Sequence, residues 1–476
     1  MSLAARPELS GSSAAASSAA VAGAVDELAR FAADLDYAGL PAPVRERLAL
    51  MLTDLWGVAA AGGRTPEQQA LCTAWQAGPG DSPVLGAGFT STPETAAFLN
   101  AVAACQLELD EGNKHAQGHP AVHVVFAAMA AVQLESRPVT GTEFLTAVAA
   151  GYEVAARFGR AFTRHPGWHT HGHWGATGAA CAAALIRRLP VERIAAAIDA
   201  AAGLAQVASW DMVLGGQYTR NLWAAGANLA GLNAARLAAA GLTENDGAAG
   251  MSLGTLAGSL EPGLLVNGLG RDWLLTQGYA KLHSSCSYTH GAVDLALELR
   301  PEHVIPEDIS FVQVHTHSLA APLFPGSGTG APRNRLAAMF DFPFVVANAL
   351  TAGEISPASM APDAPGFDAA RQLAARVSVA ADPAYDRLLP AQRRTRLEIR
   401  FTDGTVRAAE SPNPRGDVDH FPLDRTGVGT KLTALIGAGP ASRLDTAVRS
   451  LPDTDDAKAA LNILRTLMTS PEGDTQ

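Results

Sequence analysis

Four segments of this chain hold residue types whose spacing could do chemistry. The densest is ELDEGNKHAQGHP, from Glu108 to Pro120, where Glu108, Asp110, Glu111, Lys114, His115 and His119 directly follow the apolar run TAAFLNAVAACQL. Charges at the end of a buried helix are costly unless paired or used. The second, RHPGWHTHGHWGATGAA, places His165, His169, His171 and His173 before a Gly/Ala-rich helix start. Neutral imidazoles there can donate to an anion, or exchange protons with one, beside free backbone N–H groups. The third, QYTRNLWAAGAN, isolates Arg220 among apolar residues, as either a structural ion pair or a fork for a substrate carboxylate. The fourth, KLHSSCSYTHGAVDLALEL, brings Lys281, His283, Tyr288 and His290 to the start of another helix.

The elements that must position these groups are mostly helical. Pro43 opens a helix with apolar residues at helical spacing that Gly62-Gly63 ends, and Ser91-Thr-Pro-Glu94 resembles a capping box. Further helices fit 121–134, 141–161, 175–187, 191–207 and 226–240. After Lys281 the texture changes. ISFVQVHTH and RVSVA read as strands, and LEIRF-TDG-TVRAA as a hairpin turning at Asp403-Gly404, with helices at FDFPFVVANALTAG and 366–374. The expected division is a disordered Ala/Ser-rich tail (1–24), a helical domain (25–279), an α+β domain (280–415) and C-terminal helices (416–476) that return to the helical domain. The fold class is thus mainly α, with ligand chemistry expected at the junction of the two domains.

Composition narrows the function. Hydrophobic residues make up 48% of the 476 residues and charged ones 17%, which suits packed helices and argues against disorder. A net charge of -11 disfavours a nucleic-acid partner. Cys72, Cys105, Cys181 and Cys286 form no CxxC pair and read as buried thiols of a reducing compartment. No apolar run reaches the ~18 residues of a membrane span, and the N-terminus lacks a signal-peptide pattern, so a cytoplasmic protein is expected.

In this order, LDEGNKHAQGHP, GWHTHGHWGATGAA, TRNLWAAGAN and KLHSSCSYTHGAVDLALEL, with FDFPFVVANAL and NPRGD…PLD further on, resemble the MmgE/PrpD family, which includes 2-methylcitrate dehydratase, cis-aconitate decarboxylase and iminodisuccinate epimerase. The resemblance implies a large all-helical domain with a smaller α+β lid, a homodimer, and no cofactor or metal. It carries Glu108, Asp110, Glu111, His119, His169, Lys281 and His290 into the site, with Arg220 where the decarboxylase branch has lysine. Departures are visible. Asp110-Glu111-Gly112 stands in place of Asp-Asp-Thr, so Asn113 is the candidate to replace a threonine contact, and Phe344 stands in place of the lid tyrosine.

These residues suit proton transfer at a carbon α to a carboxylate, which needs a base and cations over the charge that develops. The expected roles are His119 and His169 as acid/base pair, Arg220 and Lys281 on substrate carboxylates, and Asp110 and Glu108 orienting His119 or binding a hydroxyl. His171, His290 and Asn113 complete the substrate contacts. Lys281 is itself a candidate base if its pKa is lowered. The expected activity is a hydro-lyase on a small di- or tricarboxylate, with an epimerase or decarboxylase as the alternative. Two rivals come from other classes. A metal-dependent hydrolase would use His169-x-His171-x-His173 or His115, His119 and His123, and a carboxylate-binding protein would turn nothing over. Gly326, Gly328 and Gly330 are expected in a mobile loop near the site.

Overall fold

The computed structural model describes residues 11–302, 305–322 and 332–467; the glycine loop of residues 326, 328 and 330 lies outside them. The fold is mainly α. Its core is a set of helices whose small residues let backbones touch. Helix Gly141–Ala161 crosses helix Gly175–Ile186 so closely that a Cβ on Gly151 would meet the Gly178 carbonyl oxygen at 2.6 Å, and one on Gly178 would meet that of Gly151 at 2.2 Å. Helices Pro93–Cys105, Pro120–Leu134 and Thr219–Ala239 complete the centre.

The sequence reading needs four corrections here. Residues 11–34 form one helix with Val21, Ala24 and Leu28 buried, so the expected tail is helix from Gly11 onward. Alanine's high helix propensity and a buried stripe on helix Val191–Ala202 account for this. That second helix stops at Ala202 instead of 207. The helix expected at 226–240 begins at Thr219, because its first turn carries the buried polar pair Arg220 and Asn221, which apolar periodicity does not register. The cap at 91–94 is Thr92, whose hydroxyl accepts from the Thr95 N–H, while Ser91 ends a short strand.

A second apolar core lies under a four-stranded sheet. Strand Ile309–Thr316 pairs antiparallel with Thr395–Phe401 and parallel with Val377–Ala381, and Val406–Ser411 closes the hairpin. Helices His290–Leu299, Phe342–Ala352 and Phe367–Ala374 pack on it, with Phe344 buried against Phe367. The C-terminal helices Arg425–Ile436 and Ala438–Ser450 lie on the first core, where Lys431 reaches the buried Asp54 at 2.7 Å. No described helix is long and apolar enough to cross a membrane.

Three tiny strand pairs are absent from the sequence reading, and two of them set the site. Gly112–Asn113 pairs with Gly278–Tyr279 and draws the acidic loop against the segment leading to Lys281. A side chain at 112 would meet the Tyr279 ring at 2.4 Å, so glycine allows this close approach. Phe162–Arg164 pairs with Gly258–Leu260, and Ser82–Val84 with Phe89–Ser91. Behind the first pair, buried Glu153 accepts from the Leu274 and Leu275 N–H groups and pairs with Arg157, which donates to the Leu265, Asn267 and Asp272 carbonyls. That clamp fixes the chain just before Tyr279.

Candidate active site

A cavity of about 320 Å³ opens between the helical core and the α+β part. Its wall holds Glu108, Asn113, His119, His169 and Arg220 from the sequence reading, joined by Lys114, Arg164, Tyr279, Tyr288, Trp210, Phe340 and Arg393.

Glu108 is the pivot. It follows the end of helix Pro93–Cys105 in a left-handed turn (φ 52°), a conformation a non-glycine residue holds only when its surroundings insist. One carboxylate oxygen is paired with Arg220 and the other lies 3.2 Å from Lys281 Nζ. Lys281 also stands 3.4 Å from Asp110, and the opposite oxygen of Asp110 is 3.4 Å from His119 Nδ1. Two cations and two carboxylates thus form a buried, charge-balanced chain. Burial pushes the Glu108 carboxyl up against the pull of Arg220 and Lys281. Burial opposes ionisation of Asp110 too, but Lys281, His119 and Arg220 together outweigh it and hold this carboxyl below the usual range.

Lys281 is raised above the ordinary lysine value, because the attraction of Asp110 and Glu108 overcomes burial. A lysine base needs the opposite shift, so the expectation of Lys281 as a base is not met. Neither Lys281 nor Asp110 reaches the cavity wall; both stand one layer behind it and position Glu108 and His119.

The histidines sort by their hydrogen-bond partners. His119 Nδ1 lies 2.8 Å from the Glu111 carbonyl oxygen, which can only accept, so this nitrogen carries the proton and Nε2 keeps its lone pair. His169 is the reverse. Its Nδ1 accepts from the His171 backbone N–H at 3.2 Å, so Nε2 carries the proton. Neither Nε2 has a protein partner among the described residues, and both rings line the cavity. Burial, reinforced by Lys281, holds His119 down to about 3, and burial with Arg220 holds His169 well below its ordinary value. The wall therefore presents two neutral imidazoles of complementary tautomer: one base, one hydrogen-bond donor.

Other candidates turn away from the cavity. His171 is buried edge-on among the rings of His119, His123 and His169, with centroids 4.7–5.2 Å apart, and is not on the wall. The chain bends through residues 170–173, with Gly172 in a left-handed conformation (φ 88°), and this separates the two rings. His290 spends Nε2 on the Ser285 carbonyl at 3.1 Å and packs on His283. Asn113 touches the wall, but its amide is fully engaged. It donates to Tyr152 and the Leu274 carbonyl and accepts from the His115 and Ala116 N–H groups, so it holds the loop and does not replace a threonine contact. His123 and His173 each spend a nitrogen on a backbone carbonyl at 2.7 Å. No three His, Cys, Asp or Glu side chains converge as a metal site among the described residues, which leaves the hydrolase rival without a ligand set there. Cys286 lines the wall as a thiol that burial pushes up to about 11.

Sequence reasoning noted Lys114 only as part of its segment and missed Arg164 and Arg393. Lys114 is neutralised by Asp417 at 3.0 Å and by Asp419 at 2.6 Å, and Arg393 by Asp417 at 2.9 Å while stacked 4.3 Å over the Tyr279 ring. Arg164 had one available signal, its place at the head of the histidine segment.

With that geometry, the comparisons with known proteins fall into place. The chain matches the MmgE/PrpD N-terminal domain over residues 26–253 and the MmgE/PrpD C-terminal domain over residues 283–451, and belongs to the MmgE/PrpD family. Among curated relatives it is similar to the cis-aconitate decarboxylase-like protein oryM of Aspergillus oryzae, 26% identical over 335 residues that cover 65% of this chain and 68% of the relative. It is also similar to the cis-aconitate decarboxylase of Aspergillus terreus, 27% identical over 324 residues covering 63% of this chain and 66% of the relative.

Proposed function

We propose that the protein is a cofactor-independent lyase of hydro-lyase type that removes a proton α to a carboxylate of a small di- or tricarboxylate. The observation that carries this reading is the pair of neutral imidazoles with opposite tautomers on one cavity wall, His119 offering a lone pair and His169 an N–H. His119 Nε2 takes the α-proton. The C–H electron pair becomes the new C=C bond as the C–O bond breaks, and the imidazolium of His119 returns its proton to the departing hydroxide, releasing water. The His169 N–H and Arg220 stabilise enolate-like charge on the carboxylate. This modifies the expected acid/base pair, because a neutral imidazole N–H is a hydrogen-bond donor and far too weak an acid to give up its proton. All these groups are side chains, so the step needs no cofactor electrophile.

The α+β part acts as a lid in this reading, supported by its contribution of Phe340, Pro390 and Arg393 to the wall. The homodimer rests on the family resemblance. A decarboxylase is the second reading, favoured by the names of the relatives. Proton NMR in D2O with citrate-like, malate-like and amino-dicarboxylate compounds tests both. Deuterium entering a C–H beside a carboxylate with loss of water supports the lyase, and loss of CO2 the decarboxylase. Exchange without net change supports an epimerase, and no exchange in any compound counts against proton transfer.

A further inference from the structure

Among the described residues, Arg164 is the cation on the cavity wall that no carboxylate neutralises. Arg220 is matched by Glu108, Lys114 by Asp417 and Asp419, and Arg393 by Asp417. For Arg164, no acidic side chain lies within ion-pair distance among the described residues. Its one described acceptor is the neutral Gln117 Oε1, 3.4 Å from Nη2. Its Nη1 is closed off from solvent with no acceptor among the described residues.

The position is built. Strand pairing of Phe162–Arg164 with Gly258–Leu260 fixes its backbone. Gln117 holds a left-handed turn (φ 50°) two residues before His119 on the same loop, and Tyr288 lines the wall with it. A guanidinium offers five donors in a fork that matches two carboxylate oxygens. Arg164 is half-buried, but closing off Nη1 without an acceptor is costly, and a ligand anion removes that cost.

We infer that Arg164 is a specificity-determining anchor for a second substrate carboxylate, remote from the carbon facing His119, so the enzyme requires at least a dicarboxylate and rejects monocarboxylic acids. This rests on the carboxylate reading above and moves the anchor from Lys281, which the protein's own acids occupy, to Arg164.

The test is calorimetric titration of the wild-type protein, Arg164→Gln and Arg164→Lys with tricarballylate and with butyrate, after circular dichroism shows equal melting. Arg164→Gln is expected to weaken tricarballylate about 10–100-fold, the range of a hydrogen-bonded charge pair, and to leave the weak butyrate binding unchanged. Arg164→Lys restores part of the loss, because the charge returns without the fork. Tricarballylate binding to Arg164→Gln within threefold of the wild type overturns the anchor alone. Absence of tricarballylate binding to the wild type overturns the carboxylate reading and the anchor with it.

Discussion

Replacing Lys281 by methionine removes the cation that touches both buried carboxylates of the centre. Lys281 Nζ lies 3.2 Å from Glu108 and 3.4 Å from Asp110, and the three side chains are at most 1% exposed. Glu108 keeps Arg220, but Asp110 is left buried beside a neutral His119. Its cheapest remedy is to bind a proton on folding. With an ordinary aspartate value of about 3.9 and about 1.4 kcal/mol per pH unit, that costs about 4 kcal/mol at pH 7 and about 2 kcal/mol at pH 5.5. The first figure falls within the ~3–5 kcal/mol seen when one partner of a buried pair is removed. The sign follows from linkage. In the wild type Asp110 is held below its unfolded value, so its stabilisation is present above that value and lost as pH falls through the folded one. In Lys281→Met the folded value lies above the unfolded one, so stability is lost as pH rises. Urea unfolding at pH 5.5 and 7 should show a destabilisation that grows by about 2 kcal/mol across this interval. Adding Asp110→Asn should recover most of it. A Lys281→Met protein within about 1 kcal/mol of the wild type at pH 7, below the ~3 kcal/mol floor for a broken buried pair, or one whose loss ignores pH, refutes the reasoning.

His119→Gln should lower turnover about 10²–10⁴-fold, the reach of a general base, with tricarballylate affinity by calorimetry changed less than threefold; an equal loss in both would make His119 a contact only. Because His119 must be neutral to take a proton, dehydration should fade as pH drops and persist at high pH, whereas decarboxylation, which consumes a proton, should show the reverse trend when products are followed by NMR. Burial pushes the Glu111 carboxyl up to about 8, so its stabilisation is full below the unfolded value and lost as pH rises through about 8. Glu111→Gln should therefore gain stability relative to the wild type between pH 5.5 and 9 by urea unfolding, and a flat difference contradicts the shift. A Cβ on Gly175 would meet the His123 ring at 2.4 Å, and His123 Nδ1 donates to the His119 carbonyl. Gly175→Ala should cost about 1–3 kcal/mol by overpacking and reduce turnover with the charge unchanged; activity equal to the wild type would separate His123 from the site.

Local patterns made much of this protein legible. The hairpin at Asp403-Gly404, the strand from Ile309 and the helix from Phe342 follow from periodicity and turn chemistry, which act over a few residues. Dense groups of His, Glu, Lys and Arg in an apolar, charge-poor chain marked the four segments that meet at or behind the cavity. Partnership was not legible, because it is decided between residues far apart in the chain. Asp110 and Lys281, separated by 171 positions, meet because a two-residue strand pair at Gly112 and Tyr279 joins their segments, and that meeting makes Lys281 a fixed cation instead of a base. His169 and His171 share a type and a segment, yet one faces the cavity and the other is locked among rings. Arg164 stood unremarked at the head of the histidine segment, and the fold showed which cations on the wall the protein's own carboxylates had already taken. The sequence by itself determined the helical majority and the chemical types present, since propensity and hydrophobic pattern are local. Burial, tautomer and ion pairing were settled only by the tertiary structure, because each depends on what non-local packing brings within about 3–4 Å.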